Sequence, residues 1–437
     1  MKSWLLIFAA LILMSSTIYA QSAKELAGDW EMHRISKIVP SDVRHADLKK
    51  YLQQLKNIGL KVGEVGKSFG GREIYQMEFG RGATRIFMWS QMHGDEPTAT
   101  SALVDMFAYL QKNPDKKWVK EIKEKLTIRA VPMLNPDGAE LFQRFNLQYI
   151  DINRDAKALS TPEGQLLKRL RDEWSPEIGF NLHNQNSLTT VGRTNKQATI
   201  SFLAVLGNAE GKSNENYIRN KRLISVMKVA LDDFIKGNIG RYDDTFNPRA
   251  FGDMFSAWGT PVILIETGAL HGKDEMFLTQ LNFIAYLSAL KALVEGSEQK
   301  ANPKVYEDLP FNSSDRIFNV IFRRANIINF KETSESFTAD VGINKERRRA
   351  QILAPTYVRE IGDLTAYKGL EEFDAREFYL VPRNGQLRIG LGGEFLFFKK
   401  GRKIDWKAEN LEKTFLPDAI FSDGKWTKGE KFFAKKQ

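Results

Sequence analysis

Between Asp47 and Glu298, short apolar runs alternate with stretches whose apolar positions recur at helical spacing, which is the pattern of an α/β chain. Residues 84–90 form one such run, and a loop separates it from a helical period over 97–111. A second run, 126–133, leads into Asn135, Pro136, Asp137 and Gly138. Thr161 and Pro162 open a helix that continues to about Glu173, the threonine as cap and the proline in the first turn. Residues 178–182 read as a strand ending at His183, 214–236 as a helix, and 261–265 as a strand ending at Glu266. After about Gln299 the character changes. Residues 316–322, 378–381, 387–391 and 395–398 read as strands separated by glycines and charges.

A chain of 437 residues is too long for one ordinary core. The pattern divides it into an α/β catalytic domain over 21–300 and a smaller, mainly β domain over 301–437. Residues 1–20 precede both. Lys2, the apolar stretch Leu5 to Met14 and the small Ala20 have the layout of a secretory signal peptide cleaved near Ala20. That apolar core is short for a permanent anchor, and no later stretch reads as a membrane span. The expected location is the periplasm or the outside of the cell.

The chain has no cysteine, so disulfides are excluded and any metal must be held by nitrogen and oxygen. Its net charge is +10, carried partly by Lys399, Lys400, Arg402, Lys403 and the tail from Lys425 to Lys436. Those cations fit a solvated surface, or a weak attraction to an anionic envelope polymer or lipid. Aromatic-basic repeats are missing, so nucleic acid is not an expected partner.

Among only five histidines, two fall where apolar runs end: His93, in the segment His93, Gly94, Asp95, Glu96, and His183. Two imidazoles and one carboxylate make the ligand set of a catalytic zinc site with a position left for water. Gly94 and Pro97 place His93 in a turn and Glu96 near the following helix start. Glu266 closes the apolar run 261–265, where an acid has no surface role, which makes it the candidate general base. Alternation along an extended segment would put Asp151 and Asn153 on one side. Asp151 suits a carboxylate that orients a metal-bound imidazole. Arg154 can clamp a carboxylate with Asn153 beside it, and Arg144 can stabilise a developing oxyanion. His33, His45 and His271 read as surface or packing residues.

Together these residues resemble the zinc metallocarboxypeptidases of the carboxypeptidase A type. The matching pieces run in family order over roughly 45–295: Gly66 to Ile74, His93 to Glu96, Asn135 to Gly138, Arg144, Asp151 to Arg154, His183, and Glu266 to Gly268. The resemblance implies a mixed eight-stranded sheet flanked by helices. It implies one zinc ion held by His93, Glu96 and His183, with Glu266 as base and then proton donor. It also implies that Asn153 and Arg154 hold the free terminal carboxylate of a peptide substrate, that Arg144 steadies the tetrahedral intermediate, and that Asp151 orients the first histidine. The family's mobile tyrosine finds its nearest counterpart in Tyr242, though the residues around it do not match well. Phe251 and Asp253 lie in the region that sets side-chain preference and would pull it in opposite directions. Two other readings stay open: an aspartoacylase-like deacylase of N-acyl amino acids, and a non-catalytic binding protein on the same fold.

Overall fold

The computed structural model describes residues 22–333 and 335–433. The signal-peptide expectation concerns residues outside that range. The chain forms two compact units, the first made of residues up to Ser187 together with Lys196–Asn312, the second of Leu188–Asn195 and the chain from Ser313.

The first unit is built on eight strands: β1 (Lys61–Lys67), β2 (Glu73–Gly80), β3 (Thr84–Ser90), β4 (Leu126–Val131), β5 (Ile178–Asn184), β6 (Ile200–Val205), β7 (Ile239–Arg241) and β8 (Val262–Thr267). Their order in the sheet is β1-β2-β4-β3-β5-β8-β6-β7. The four central strands β4, β3, β5 and β8 are parallel, while β2 meets β4 and β6 meets β8 antiparallel. This is the expected eight-stranded mixed sheet.

Helices cover both faces, so central strands must be apolar on both sides. In β3, Ile86 and Met88 enter one core while Phe87 and Trp89 enter the other. The first face carries residues 22–33 (α1), α2 (His45–Asn57), α3 (Thr98–Lys112), α4 (Lys117–Lys125), α7 (Glu215–Ile235) and α9 (Glu275–Glu295). The second carries α6 (Pro162–Trp174) and α8 (Phe251–Ala257), and the short α5 (Pro136–Leu141) lies between β4 and α6 in the chain. Thr161 caps α6 by accepting from Gly164 N–H, and Asn214 caps α7. Helix α9 is long and apolar enough, by length and composition, to cross a membrane, which the sequence reading did not foresee. Its residues are mostly buried against α3 and α7, which accounts for a helix that is apolar all round.

The first unit runs on past residue 300, to Asn312, for a packing reason. In α10 (Lys304–Glu307) Tyr306 is fully buried, its hydroxyl accepts from Ala204 N–H in β6, and Leu309 joins the same core.

The second unit is an eight-stranded sheet: β9 (Ile317–Ile327), β10 (Phe337–Lys345), β11 (Thr356–Gly362), β12 (Lys368–Asp374), β13 (Phe378–Pro382), β14 (Phe395–Lys399), β15 (Ala419–Ser422) and β16 (Lys425–Lys428). Its order is β11-β10-β9-β13-β14-β15-β16, with β12 also paired to β9. Residues 387–391, expected as a strand, are a loop and turn instead. Gly385 before it and Gly390 within it take positive φ, and only Leu387 buries its side chain while Ile389 stays exposed.

Candidate metal centre

Three segments converge at the carboxyl ends of β3, β5 and β8, where open α/β sheets place their ligands. His183 and Glu266 are direct partners in the β5–β8 ladder, so their side chains project side by side. Each lies on the strand face opposite Leu182 and Ile265, whose side chains fill the first core. His93 follows β3 after a turn, and Glu96 sits just before α3.

That turn is held closely. A side chain on Gly94 would sit 1.9 Å from the Gly138 carbonyl carbon, so only glycine fits there. Gln91, itself at φ +50°, donates to Gly94 O and accepts from Thr100 Oγ1. Asn135 caps α5 by accepting from Gly138 N–H, and its amide donates to Met92 O and Arg144 O. It thereby links the segment before His93 to the loop that carries Arg144. Asp137, fully buried, accepts from Gly70 N–H and from Arg72, fixing the 66–74 turn to the same scaffold.

The ligand atoms lie close together. His93 Nδ1 is 2.9 Å from Glu96 Oε1, His183 Nδ1 is 2.7 Å from Glu96 Oε2, and the two Nδ1 atoms are 3.2 Å apart. Bonds of about 2.0–2.1 Å to a tetrahedral zinc put its corners roughly 3.3 Å apart, close to the separation of the two imidazole nitrogens. These three buried residues form the one group of histidines and carboxylates among the described residues that could hold a metal ion.

Electrostatics agrees with the geometry. Burial opposes a charged His93, yet Glu96 and then Asp151 push its pKa up to about 9. Burial would raise Glu96, but the two histidines hold it well below the usual carboxylate range. Burial keeps His183 low. Such a cluster calls for positive charge at its centre, which a divalent cation supplies. The donor set of two nitrogens and a carboxylate fits zinc.

Around the triad, Asp151 Oδ1 is 3.0 Å from His93 Nε2, and its other oxygen accepts from Arg144 Nε and Nη2. Arg144 also reaches Glu96 Oε1 at 3.5 Å. Residues Ile152–Arg154 are a 3-10 turn rather than the extended segment expected, because Asp151 caps it by accepting from Asn153 N–H. The alternation argument for Asp151 and Asn153 therefore fails, although both stand near the site. Asn153 Oδ1 accepts from Phe251 N–H, and Arg154 donates to Asn153 O.

Glu266 is buried. Its charge, then burial and then Glu96, pushes the Tyr242 phenol up to about 12, and Arg154 and Arg144 also act on that phenol. Tyr242 thus shares the electrostatic neighbourhood of Glu266 and the triad. Phe251 is fully buried in the aromatic core beneath, while the Asp253 carboxyl is pushed up to about 6 by burial, against the pull of Asn247 N–H and Arg154.

Sequence reasoning gave no role to Asn184. Its N–H donates to Glu96 Oε2, and its side chain bonds Thr98 and Thr267 O. Adjacency to His183 was the only signal for it. Among the bystanders, His45 is buried and bonds Glu73 O, His33 packs edge-on against Tyr109, and His271 is exposed.

A family model described as zinc carboxypeptidase matches residues 47–227. Probable carboxypeptidase 2 of Arthroderma benhamiae is 32% identical over 110 residues, 25% of this chain and 20% of that protein. Carboxypeptidase 2 of Trichophyton rubrum is 31% identical over 99 residues, 23% of this chain and 18% of that one. The chain therefore spans about a fifth of the length of these curated relatives. A metallo-carboxypeptidase structure from Burkholderia cenocepacia aligns with a TM-score of 0.48 at 15% identity, covering 59% of this chain and 69% of that one. The resemblance carried by the motifs agrees with these matches: residues 47–227 are similar in sequence to the zinc carboxypeptidase family.

Proposed function

We propose that the first unit is a zinc-dependent carboxypeptidase that hydrolyses the C-terminal peptide bond of exported or envelope peptides. The convergence of His93, Glu96 and His183 on one small volume, with Glu266 in register beside His183, is the observation that carries this reading.

His93, Glu96 and His183 would hold one ion. When bound, zinc polarises a carbonyl and lowers the pKa of water to about 7. Asp151 fixes the His93 ring through Nε2, leaving Nδ1 beside Glu96 and His183, where it would hold the ion. Glu266 takes a proton from the attacking water as the new carbon–oxygen bond forms. It then gives that proton to the amide nitrogen as the carbon–nitrogen bond breaks, so one carboxylate serves as base and acid in turn. Arg144 carries positive charge next to Glu96, where the carbonyl oxygen becomes anionic. Asn153 and Arg154 would bind the terminal carboxylate, and a phenol with pKa near 12 keeps Tyr242 a hydrogen-bond donor at any working pH. The secretory pattern of residues 1–20 places this chemistry outside the cytoplasm in our reading.

The test is peptide trimming followed by mass spectrometry, with N-acyl amino acids assayed alongside. Single residues should leave the C-terminus, trimming should stop after dialysis against 1,10-phenanthroline, and zinc should restore it. Cleavage confined to N-acyl amino acids would transfer the site to the deacylase reading. Trimming indifferent to the chelator would reject a metal mechanism.

A further inference from the structure

The basic stretches that catalysis leaves unused come together at one end of the second unit's sheet. Lys399 ends β14, and its ammonium sits 4.4 Å from the Phe432 ring centroid. Lys431 approaches the same ring at 5.6 Å. Lys428 at the end of β16 donates to Pro417 O, and Arg402 donates to Leu416 O and to Asp418, which also accepts from Lys399 N–H. Lys400 N–H bonds Glu377 O, and Lys403 follows Arg402 by one position. Six cations thus surround one tip, against the acids Asp418, Glu377 and Glu430. Asp418 is already engaged by Arg402.

Two large apolar side chains project from the same tip. Leu416 is 70% exposed and Phe432 is 39% exposed, whereas the adjacent Phe433 is buried in the core. Single exposed apolar residues are ordinary on soluble proteins. A leucine and an aromatic ring ringed by lysines are the composition that interfacial membrane binders use, with cations at the phosphates and apolar tips at the acyl boundary.

We propose that this tip is a docking surface for an anionic lipid bilayer, with Lys399, Lys400, Arg402, Lys428 and Lys431 meeting headgroup phosphates and Leu416 and Phe432 entering the interface. An anionic polymer would satisfy the lysines but would give the two apolar side chains nothing to bury against. That difference selects the lipid. The proposal does not depend on the peptidase reading.

Co-sedimentation of the full chain with vesicles tests it. Phosphatidylcholine vesicles containing phosphatidylglycerol should bind the protein and pure phosphatidylcholine should not, with binding falling as salt is raised. Each lysine contributes about a fivefold effect near such a surface, so Lys399→Gln with Lys431→Gln should lower partitioning roughly twenty-five-fold. Leu416→Ser with Phe432→Ser should lower it several-fold without altering salt dependence. As a control, Lys345→Gln with Lys368→Gln should change little. Lys368 pairs with Ile317 at the far end of β9 from Asn326, which pairs with Tyr379 beside the Phe378–Lys399 pair. Equal binding to both vesicle types, or equal loss in the control pair, would overturn the proposal. Binding to soluble dextran sulfate that matches vesicle binding and ignores Leu416→Ser with Phe432→Ser would assign the tip to a polymer and overturn it too.

Discussion

Both units bury charge, and they do so in opposite ways. In the second unit Arg323 lies at the edge of a core rich in phenylalanine, and all five of its N–H donors are used. They go to Asp340, to both oxygens of Glu372, and to the carbonyls of Leu364 and Tyr367. Positive and negative groups there complete one another with protein atoms alone. In the first unit His93, Glu96, His183 and Asp151 crowd together with Arg144 as the nearby fixed cation, and His93 is driven to a pKa of about 9. A buried ionic cluster that closes on itself holds a fold together. One that needs a further cation holds a site open for chemistry.

The sharpest way to break that contrast is Glu266→Gln, which keeps shape and strand register while removing the proton carrier. General-base groups typically contribute about 10²–10⁴-fold, so kcat for peptide trimming should fall by that order. The melting temperature should hold or rise, and bound zinc should stay at the wild-type level. Retained kcat would mean that the buried acid beside His183 is structural, as Glu372 is in the other unit.

Arg323→Met is the counterpart. Removing one partner from a buried ion pair typically costs about 3–5 kcal/mol because it strands the remaining charges, here Asp340 and Glu372. Urea unfolding followed by tryptophan fluorescence, with Trp426 in that unit's aromatic core, should show the loss. Adding Asp340→Leu and Glu372→Leu should recover most of it, since well-packed apolar residues replace closed ion clusters at little cost. A triple variant no better than the single one would show that the carbonyl contacts of Arg323, rather than charge balance, dominate.

The same contrast explains what could be read from the chain. Fully buried parallel strands announce themselves as apolar runs, so β3, β4, β5 and β8 were legible, as was the polar residue closing each of two of them. Edge strand β1 is half solvated and interrupted by Gly63 and Gly66, and it left no run to read. In the second unit β11 and β12 mix charges with buried residues, β10 buries a run that includes Asp340, Gly342 and Asn344, and residues 387–391 look like a strand although Gly385 and Gly390 turn the chain there. Of the site, the charged members could be found because acids and histidines are rare at strand ends. Asn135 and Asn184 were visible only as motif pieces, with no role attached to either. Neutral amides do their work through hydrogen bonds whose partners come from distant segments, such as Thr98 and Thr267 for Asn184, and no local pattern records that.

Asn184 therefore gives the finest test of whether the first unit's polar cluster is organised for chemistry. Its side chain joins the start of α3, two residues beyond Glu96, to Thr267, the neighbour of Glu266. Thr267 is itself fixed by Asn282, which accepts from the Tyr286 hydroxyl. Losing such an outer partner of a metal ligand costs about 10–100-fold in metal affinity or activity. For Asn184→Ala, zinc affinity measured by competition with a chelator and kcat at saturating zinc should both fall within that range. A void left by a purely structural amide would instead lower the melting temperature and leave both quantities alone. Asn184→Asp separates the effects further: it preserves volume and the acceptor for Thr98 N–H but loses the donor to Thr267 O, and it adds negative charge to a cluster already short of positive charge. Zinc affinity should then recover toward wild type, since a nearby carboxylate favours a cation, while kcat stays low because Glu266 has lost its tether. If kcat recovers with affinity, the amide sets the metal and nothing else, and the place of Glu266 beside His183 is fixed by the strand register of β5 and β8 alone.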